Sequence, residues 1–428
     1  MTPQKNNSAK FKKEKNPSVL EWKNLDKIGE IPLFYGFVPH ATPTVSKEDI
    51  KTSEEFAEGD YVGTTEHDEI KLPLHVEEKV SLLRMYDEED MYSQSQPLML
   101  YFAEPIKASS QHVNRESSKK GSYPRYADLE VIGSTRSVAE ATLIQTARIM
   151  LAEEGYTNIG VEINSVGDKD SLARFTRELT NYYRKHINSM TPEARQLFKR
   201  DPFELVTSTN PACKEINSLA PKSMSFLSEA SRNHFREVLE FLETLGIPYK
   251  INNALIGNRK YCSETIFEIV DLDYDAKKSK GYRTLAIGVR YDGLSKKIGA
   301  KKDIPGVGLS LLIKGSDASL RKPLTKTKKP WVYFIQLGFE AKLLSLHVIE
   351  ILRKAKIPLY QSLPKDKLGA QVSHAEKLDL PYTIIMGKKE AVEKSVLVRD
   401  SVTRSQEAVL FDNLTAYMKK LGESLRNN

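Results

Sequence analysis

Two cysteines, Cys213 and Cys262, and eight histidines are the residues that could act as soft nucleophiles or grip a metal. The cysteines lie far apart and match no metal-ligand spacing, so they read as two reduced thiols. The histidines are scattered singly, without a pair at helical spacing, which argues against zinc. The chemistry that remains is ionic. The run Ala286-Ile287-Gly288-Val289-Arg290-Tyr291-Asp292-Gly293-Leu294 carries a guanidinium, a phenol and a carboxylate in succession. Gly293 permits a turn there that other residues resist. Net charge is +7 and uneven: +3 on residues 1–30, +5 on 313–330, +4 on 331–428 and −5 on 31–312. Positive charge at the tail, a linker and the C-terminal part suits a polyanion contacted outside the main core.

These groups need a scaffold. A chain of 428 residues, 40% hydrophobic and 28% charged, is long enough for two or three globular domains. No apolar run approaches membrane-spanning length, and Met1 to Lys15 is polar and lysine-rich, which implies a cytoplasmic protein. Residues 1–30 read as a flexible basic arm, and from Leu33 the pattern is of short strands and loops. Apolar residues at Val76, Val80, Leu83 and Met85 have helical spacing. Leu98–Phe102 and Leu129–Ile132 read as strands. Ser137–Glu154 reads as an amphipathic helix capped by Ser137, followed by a strand over 160–164 and a long helix over 170–186. Residues 191–232 read as a polar helical insertion, and a helix from Ser231 stops at Gly246. Residues 249–252, 265–272 and 284–290 read as three strands of an antiparallel sheet, and Val307–Ile313 as the start of a helix. Past the basic stretch, strands at 332–337, 358–361, 382–386 and 395–400 alternate with helices at 342–355, 368–378 and 415–426. That alternation implies an α/β layer sandwich.

Five segments in order resemble histidyl-tRNA synthetases. The Arg290-Tyr291-Asp292-Gly293-Leu294 turn is one. Gly160 to Asp168 is similar to the strand and turn after that family's class II helix. Asp201-Pro202, Thr209-Asn210-Pro211 and Glu229 to Phe235 resemble its helical insertion. Glu264-Thr265-Ile266-Phe267-Glu268 is similar to one wall of its histidine pocket. Leu368 to Leu378 with Ile384 to Asp400 resembles the anticodon-binding domain shared with glycyl, threonyl and prolyl enzymes. The resemblance implies an α+β class II core, an antiparallel sheet flanked by helices, over 31–315, with a helical insertion at about 187–232. A basic linker over 316–330 and an anticodon-binding-like α/β domain over 331–428 would follow.

The resemblance also implies where amino-acid activation would occur, and the residues there differ from the family pattern. Such a site neutralises the α-phosphate of ATP with fixed arginines. After Pro105 the positions of the family's Phe-Arg-x-Glu fall on Ala108 and Ser110, with Lys107 adjacent. Lys314-Gly315 stand where a Glu-Arg pair belongs. Gly257 and Lys260 replace an arginine and an aspartate in the histidine-specific loop, and Pro73-Leu74-His75-Val76-Glu77 replaces Arg-Pro-Glu-Gly-Thr. Arg115, Arg125 and Arg259 are the arginines left to compensate. The pocket set implied by the family is Glu130, Tyr261, Thr265, Glu268, Arg290, Tyr291 and Asp292. The nucleic-acid set is Lys328, Lys329, Lys365, Lys367, Gln371 and Arg399.

Two functions compete. One is a non-catalytic histidyl-tRNA synthetase-like protein that binds tRNA, a protein partner or a regulatory ligand. The other is an active, divergent histidine–tRNA ligase using ATP and Mg2+ with displaced arginines. The regulatory subunit of histidine biosynthesis that resembles this synthetase generally lacks the C-terminal domain present here. The family's first motif implies a homodimer, although the helix preceding Thr42-Pro43 is short or absent between Asp26 and Pro32.

Overall fold

Alternating strands and amphipathic helices build two large sheets and a two-stranded pair in the computed structural model. It describes residues 25–56, 61–62, 73–74, 76–103, 125–208, 210–275, 283–313, 329–363 and 367–427. The chain enters through helix α1 (Lys27–Phe34), whose first turn is capped by the Asp26 carboxylate accepting from the Gly29 amide at 2.8 Å. Residues 27–30, assigned by composition to the arm, are therefore helical, and Leu33 belongs to a helix rather than a strand. Then follow β1 (Val38–Pro39), α2 (Lys47–Ser53), the short pair β2 (Tyr61–Val62) and β3 (Pro73–Leu74), α3 (Val76–Glu88), β4 (Leu98–Phe102) and β5 (Arg125–Ile132). Next come α4 (Val138–Glu153), β6 (Ile159–Gly167) and α5 (Lys169–Lys185). Ser137 occupies the cap of α4 but donates its hydroxyl to Glu237 at 2.6 Å instead of capping.

The insertion forms α6 (Pro192–Arg200), α7 (Pro202–Val206) and α8 (Pro211–Ser218), each with proline in its first turn and a Thr, Asp or Asn side chain capping it. Helix α9 (Glu229–Thr244) starts at a Ser228 cap, and Gly246 ends it with a positive φ. Strands β7 (Tyr249–Ile251), β8 (Ser263–Asp271) and β9 (Thr284–Arg290), the short α10 (Leu294–Lys297) and β10 (Gly306–Ile313) complete the first sheet. Its order is β1-β4-β5-β10-β9-β8-β6-β7. The six inner strands are antiparallel, and each edge strand pairs parallel to its neighbour.

Two expectations are corrected. Residues 307–313 are strand, not helix: β10 lies between β5 and β9 with every residue buried. A short apolar run buried on both faces has no period that separates the two choices. Strand β7 pairs with β6 at the edge and not with β8.

The C-terminal part contains β11 (Val332–Gln336), α11 (Phe339–Lys354), β12 (Leu359–Gln361), α12 (Leu368–Lys377) and β13 (Tyr382–Met386). It ends with α13 (Lys388–Val392), β14 (Ser395–Asp400), β15 (Gln406–Leu410) and α14 (Phe411–Asn427). The sheet order is β12-β11-β13-β14-β15, parallel across the first three and antiparallel thereafter. Strand β15 went unread because its outward residues are Gln, Glu and Ala. The two parts meet where Tyr35 donates to Glu350 at 2.9 Å and the Gln361 amide donates to the Tyr35 carbonyl at 2.6 Å. Gly36, with φ +90, leaves the space the Gln361 amide fills.

Side chains divide the large sheet into two faces. Ala127, Leu129, Val131, Val307, Leu309 and Leu311 pack with α4 and α9. Leu100, Phe102, Ile266, Ile287, Val289 and Tyr291 pack with α3 and the insertion. The second face holds the candidate cleft.

Candidate functional site

Strand alternation places Glu130 of β5 on the cleft face, directly opposite Gly308 of β10. A Cβ at Gly308 would lie 1.9 Å from Glu130 Oε2, so only glycine leaves room for this carboxylate. Into the same space comes Lys79 from α3. Its Nζ contacts Glu130 Oε1, and the side chains of both are essentially without solvent contact. The Tyr291 hydroxyl donates to Glu130 Oε2 at 2.7 Å, and Lys79 Nζ sits 5.5 Å from the Tyr291 ring centre.

Burial alone would push the Lys79 ammonium down, but Glu130, Asp128 and Glu78 around it hold it above its ordinary range. Burial pushes Glu130 up, against the pull of Lys79 and Tyr291. Burial, reinforced by Asp128, drives Glu78 well above the carboxylate range, and Ser310 donates to Asp128. The arrangement is a buried ion pair between α3 and the central sheet, with the Tyr291 hydroxyl as a second donor to the carboxylate. Sequence reading missed Lys79. It falls between Val76, Val80 and Leu83 on one helical stripe, and a lysine interrupting an apolar stripe was the available signal.

Arg290 lies on the other face, because it pairs with Val307, whose side chain packs with α4 and α9. Its Nε and Nη2 donate to the two oxygens of Glu140, each at 2.7 Å. Nη1 donates to the Ser134 carbonyl at 2.8 Å and to Asp292 at 3.3 Å, and Nη2 to the Arg136 carbonyl at 3.4 Å. All five N–H groups are thereby used. His234 of α9 lies 2.7 Å from Glu140. Burial works against the Glu140 charge, yet Arg290 and His234 draw its pKa down to about 2. Burial lowers His234, but Glu140 outweighs it and the imidazole rises. Burial raises Asp292 despite Arg290 beside it, and its carboxylate accepts from the Gly306 amide at 3.0 Å. The Arg290–Asp292 pair thus fastens β9 to α4 and to the start of β10, while Tyr291 alone faces the cleft.

Of the displaced arginines, the described side chain is that of Arg259, and it is engaged away from Glu130. Arg259 pairs with Asp201, the cap of α7, and its guanidinium lies 4.2 Å from the Phe203 ring centre. Arg283 is likewise engaged with Glu162. Arg125 is the first residue of β5, paired in register with Ile313. Arg115 lies outside the described residues, as do Lys107, Ala108, Ser110, Lys314, Gly315 and His75. Tyr261 is buried beside the cleft cluster. Glu268 is also on the cleft face, opposite Glu162 and Ile287. Thr265 alternates with Phe267 onto the helix-covered side, where its buried hydroxyl has no hydrogen-bond partner among the described residues. Among those residues no cluster of three or more His, Cys, Asp or Glu could hold a metal. Cys213 and Cys262 are buried free thiols, and burial pushes Cys262 up to about 12.

Of the nucleic-acid set, Lys329, Lys367 and Arg399 are exposed. Gln371 is fully buried instead: its amide donates to the Gln336 carbonyl at 2.8 Å and its oxygen accepts from the Gln336 amide at 3.2 Å. It serves the packing of α12 on β11. Lys328 and Lys365 lie outside the described residues.

Residues 332–421 match the family model described as an anticodon binding domain. The protein is thus a mixed α+β protein, with an antiparallel-rich sheet and helical layers, whose C-terminal part matches an anticodon-binding domain. Among curated proteins, histidine–tRNA ligase of Protochlamydia amoebophila is 25% identical over 353 residues, covering 81% of this chain and 80% of that protein. Histidine–tRNA ligase of Caldanaerobacter subterraneus is 23% identical over 414 residues, covering 93% and 95%. Of solved structures, apo histidyl-tRNA synthetase of S. aureus matches with TM-score 0.48 at 21% identity, over 91% of this chain and 93% of that one. The chain is a histidyl-tRNA synthetase-like protein.

Proposed function

We propose that this protein is a non-catalytic member of the synthetase-like group, acting through tRNA binding or as a regulatory or interaction paralogue. The observation that carries the reading is the Lys79–Glu130 pair. A histidine entering beside Glu130 brings its own ammonium, and the carboxylate that would receive it is already neutralised. Expelling Lys79 means breaking a buried ion pair, at a cost of about 3–5 kcal/mol. That weakens amino-acid binding by roughly two to four orders of magnitude. Arg259 and Arg290 are also committed to internal carboxylates, which supports the same reading. Among the described residues, Gly257 and Lys260 of the histidine loop do not fit a site for histidyl-adenylate, ATP and Mg2+.

The same proposal divides the chain into a basic arm ending before α1, a core from α1 to 315, a basic linker over 316–330 and an RNA-binding domain over 331–428. It includes a homodimer through the first-motif region and a cytoplasmic location; among the described residues no helix is long and apolar enough to cross a membrane. Histidine-dependent exchange of pyrophosphate into ATP tests the catalytic half: no exchange above a no-histidine control is expected, and robust exchange overturns the reading. Filter binding of tRNA over a salt series tests the other half. Affinity falling steeply with salt is expected.

A further inference from the structure

The start of β11 and the last turns of α14 enclose a groove of about 720 Å3 on the C-terminal part. Its lining includes Trp331, Met418, Gly422, Lys329, Lys356 and Lys419. Trp331 is half-buried. Its ring meets Tyr382 edge-on at 5.8 Å and lies close over Gly422, a Cβ there coming within 3.4 Å of it. Around the ring, Lys329 and Lys419 are exposed and form no ion pair among the described residues. Lys356 lies 3.4 Å from Glu30, and the acid lining the groove is Glu423. The groove thus joins an aromatic side chain to an excess of positive charge, directly after the +5 segment 313–330.

We propose that this groove binds single-stranded RNA, one base stacking against Trp331 while Lys329 and Lys419 contact flanking phosphates. Stacking tolerates any base, because every base presents a π face, and the lysines supply sequence-independent attraction. The inference rests on the RNA-binding reading of the domain and adds which surface does the binding. Charge complementarity selects the occupant: an apolar peptide would leave two lysines uncompensated.

The chain has two tryptophans, Trp22 and Trp331, so Trp22→Phe leaves one reporter in the full-length protein. Titration with a 12-nucleotide single-stranded RNA should quench Trp331 fluorescence saturably, and tRNA should compete. Lys329→Glu with Lys419→Glu, two exposed positions that leave the core untouched, should weaken RNA binding at least tenfold. It should also reduce the dependence of log affinity on log salt by about 1.4, the release expected for two phosphate contacts. Trp331→Leu should cost about fivefold or more without changing that slope. If tRNA binds the charge-reversed variant as tightly as wild type, without quenching, the groove is not the site and the RNA-binding reading stands. If wild-type protein binds no RNA of either kind, the RNA-binding reading itself fails. Quenching by poly-glutamate but not by RNA also overturns the proposal, in favour of an acidic peptide.

Discussion

Replacing Lys79 with methionine keeps the length and most of the volume of the side chain but removes the cation that Glu130 faces. Glu130 has no solvent contact and would keep only the Tyr291 hydroxyl, at 2.7 Å. Breaking one side of a buried pair costs about 3–5 kcal/mol, because the other charge is left without compensation. At about 2–4 °C per kcal/mol for a domain of this size, the transition of the core should fall by roughly 6–20 °C. Converting Glu130 to glutamine in the same protein removes the stranded charge and keeps an acceptor for Tyr291. The double variant should return to within about 1.5 kcal/mol of wild type. The sign of the pH dependence is fixed. Without Lys79, burial holds the folded-state pKa of Glu130 above its unfolded value. Stability is then full below the unfolded value and is lost as pH rises through the folded one. The Lys79→Met penalty should therefore be smaller at pH 5 than at pH 8. Urea denaturation followed by circular dichroism at both pH values measures it. A single variant within 1 kcal/mol of wild type, or a double variant as unstable as the single, refutes the ion-pair argument.

Two further perturbations separate structural from catalytic arginines. Arg290→Met leaves Glu140 with His234 as its remaining partner and should destabilise the core by about 3 kcal/mol, the lower end for breaking a buried pair, read by thermal denaturation. Because Glu140 is depressed to about 2, its contribution is present above the ordinary carboxylate range and is lost as pH falls toward 2. Acid unfolding of wild type should therefore show a phase in that window that Glu140→Gln lacks. Arg259→Ala releases the partly exposed pair with Asp201 and should cost only about 1 kcal/mol, leaving RNA binding unchanged in a filter assay.

Much of the scaffold was legible because its signals are local. Proline after Thr, Asp or Asn announced the insertion helices, Gly246 ended α9, and periodicity placed α3, α4 and α5. The central strand β10 was misread because burial on both faces erases the alternation that identifies a strand. The site was less legible, since its key facts are pairings between distant segments. Sequence order put Arg290, Tyr291 and Asp292 together in one pocket, whereas strand alternation sends Tyr291 to the cleft and Arg290 to the helices behind. Gln371 read as a surface contact although its amide closes a buried pair with Gln336. Lys79 and Glu130 are separated by 51 residues, so only the fold brings them into contact.

The proposed occlusion of Glu130 by Lys79 is tested most directly by equilibrium dialysis of radiolabelled histidine against the full-length protein near neutral pH. No saturable binding is predicted at millimolar histidine, with or without ATP. Stoichiometric binding at micromolar histidine would show that Lys79 yields its place, and would contradict the account.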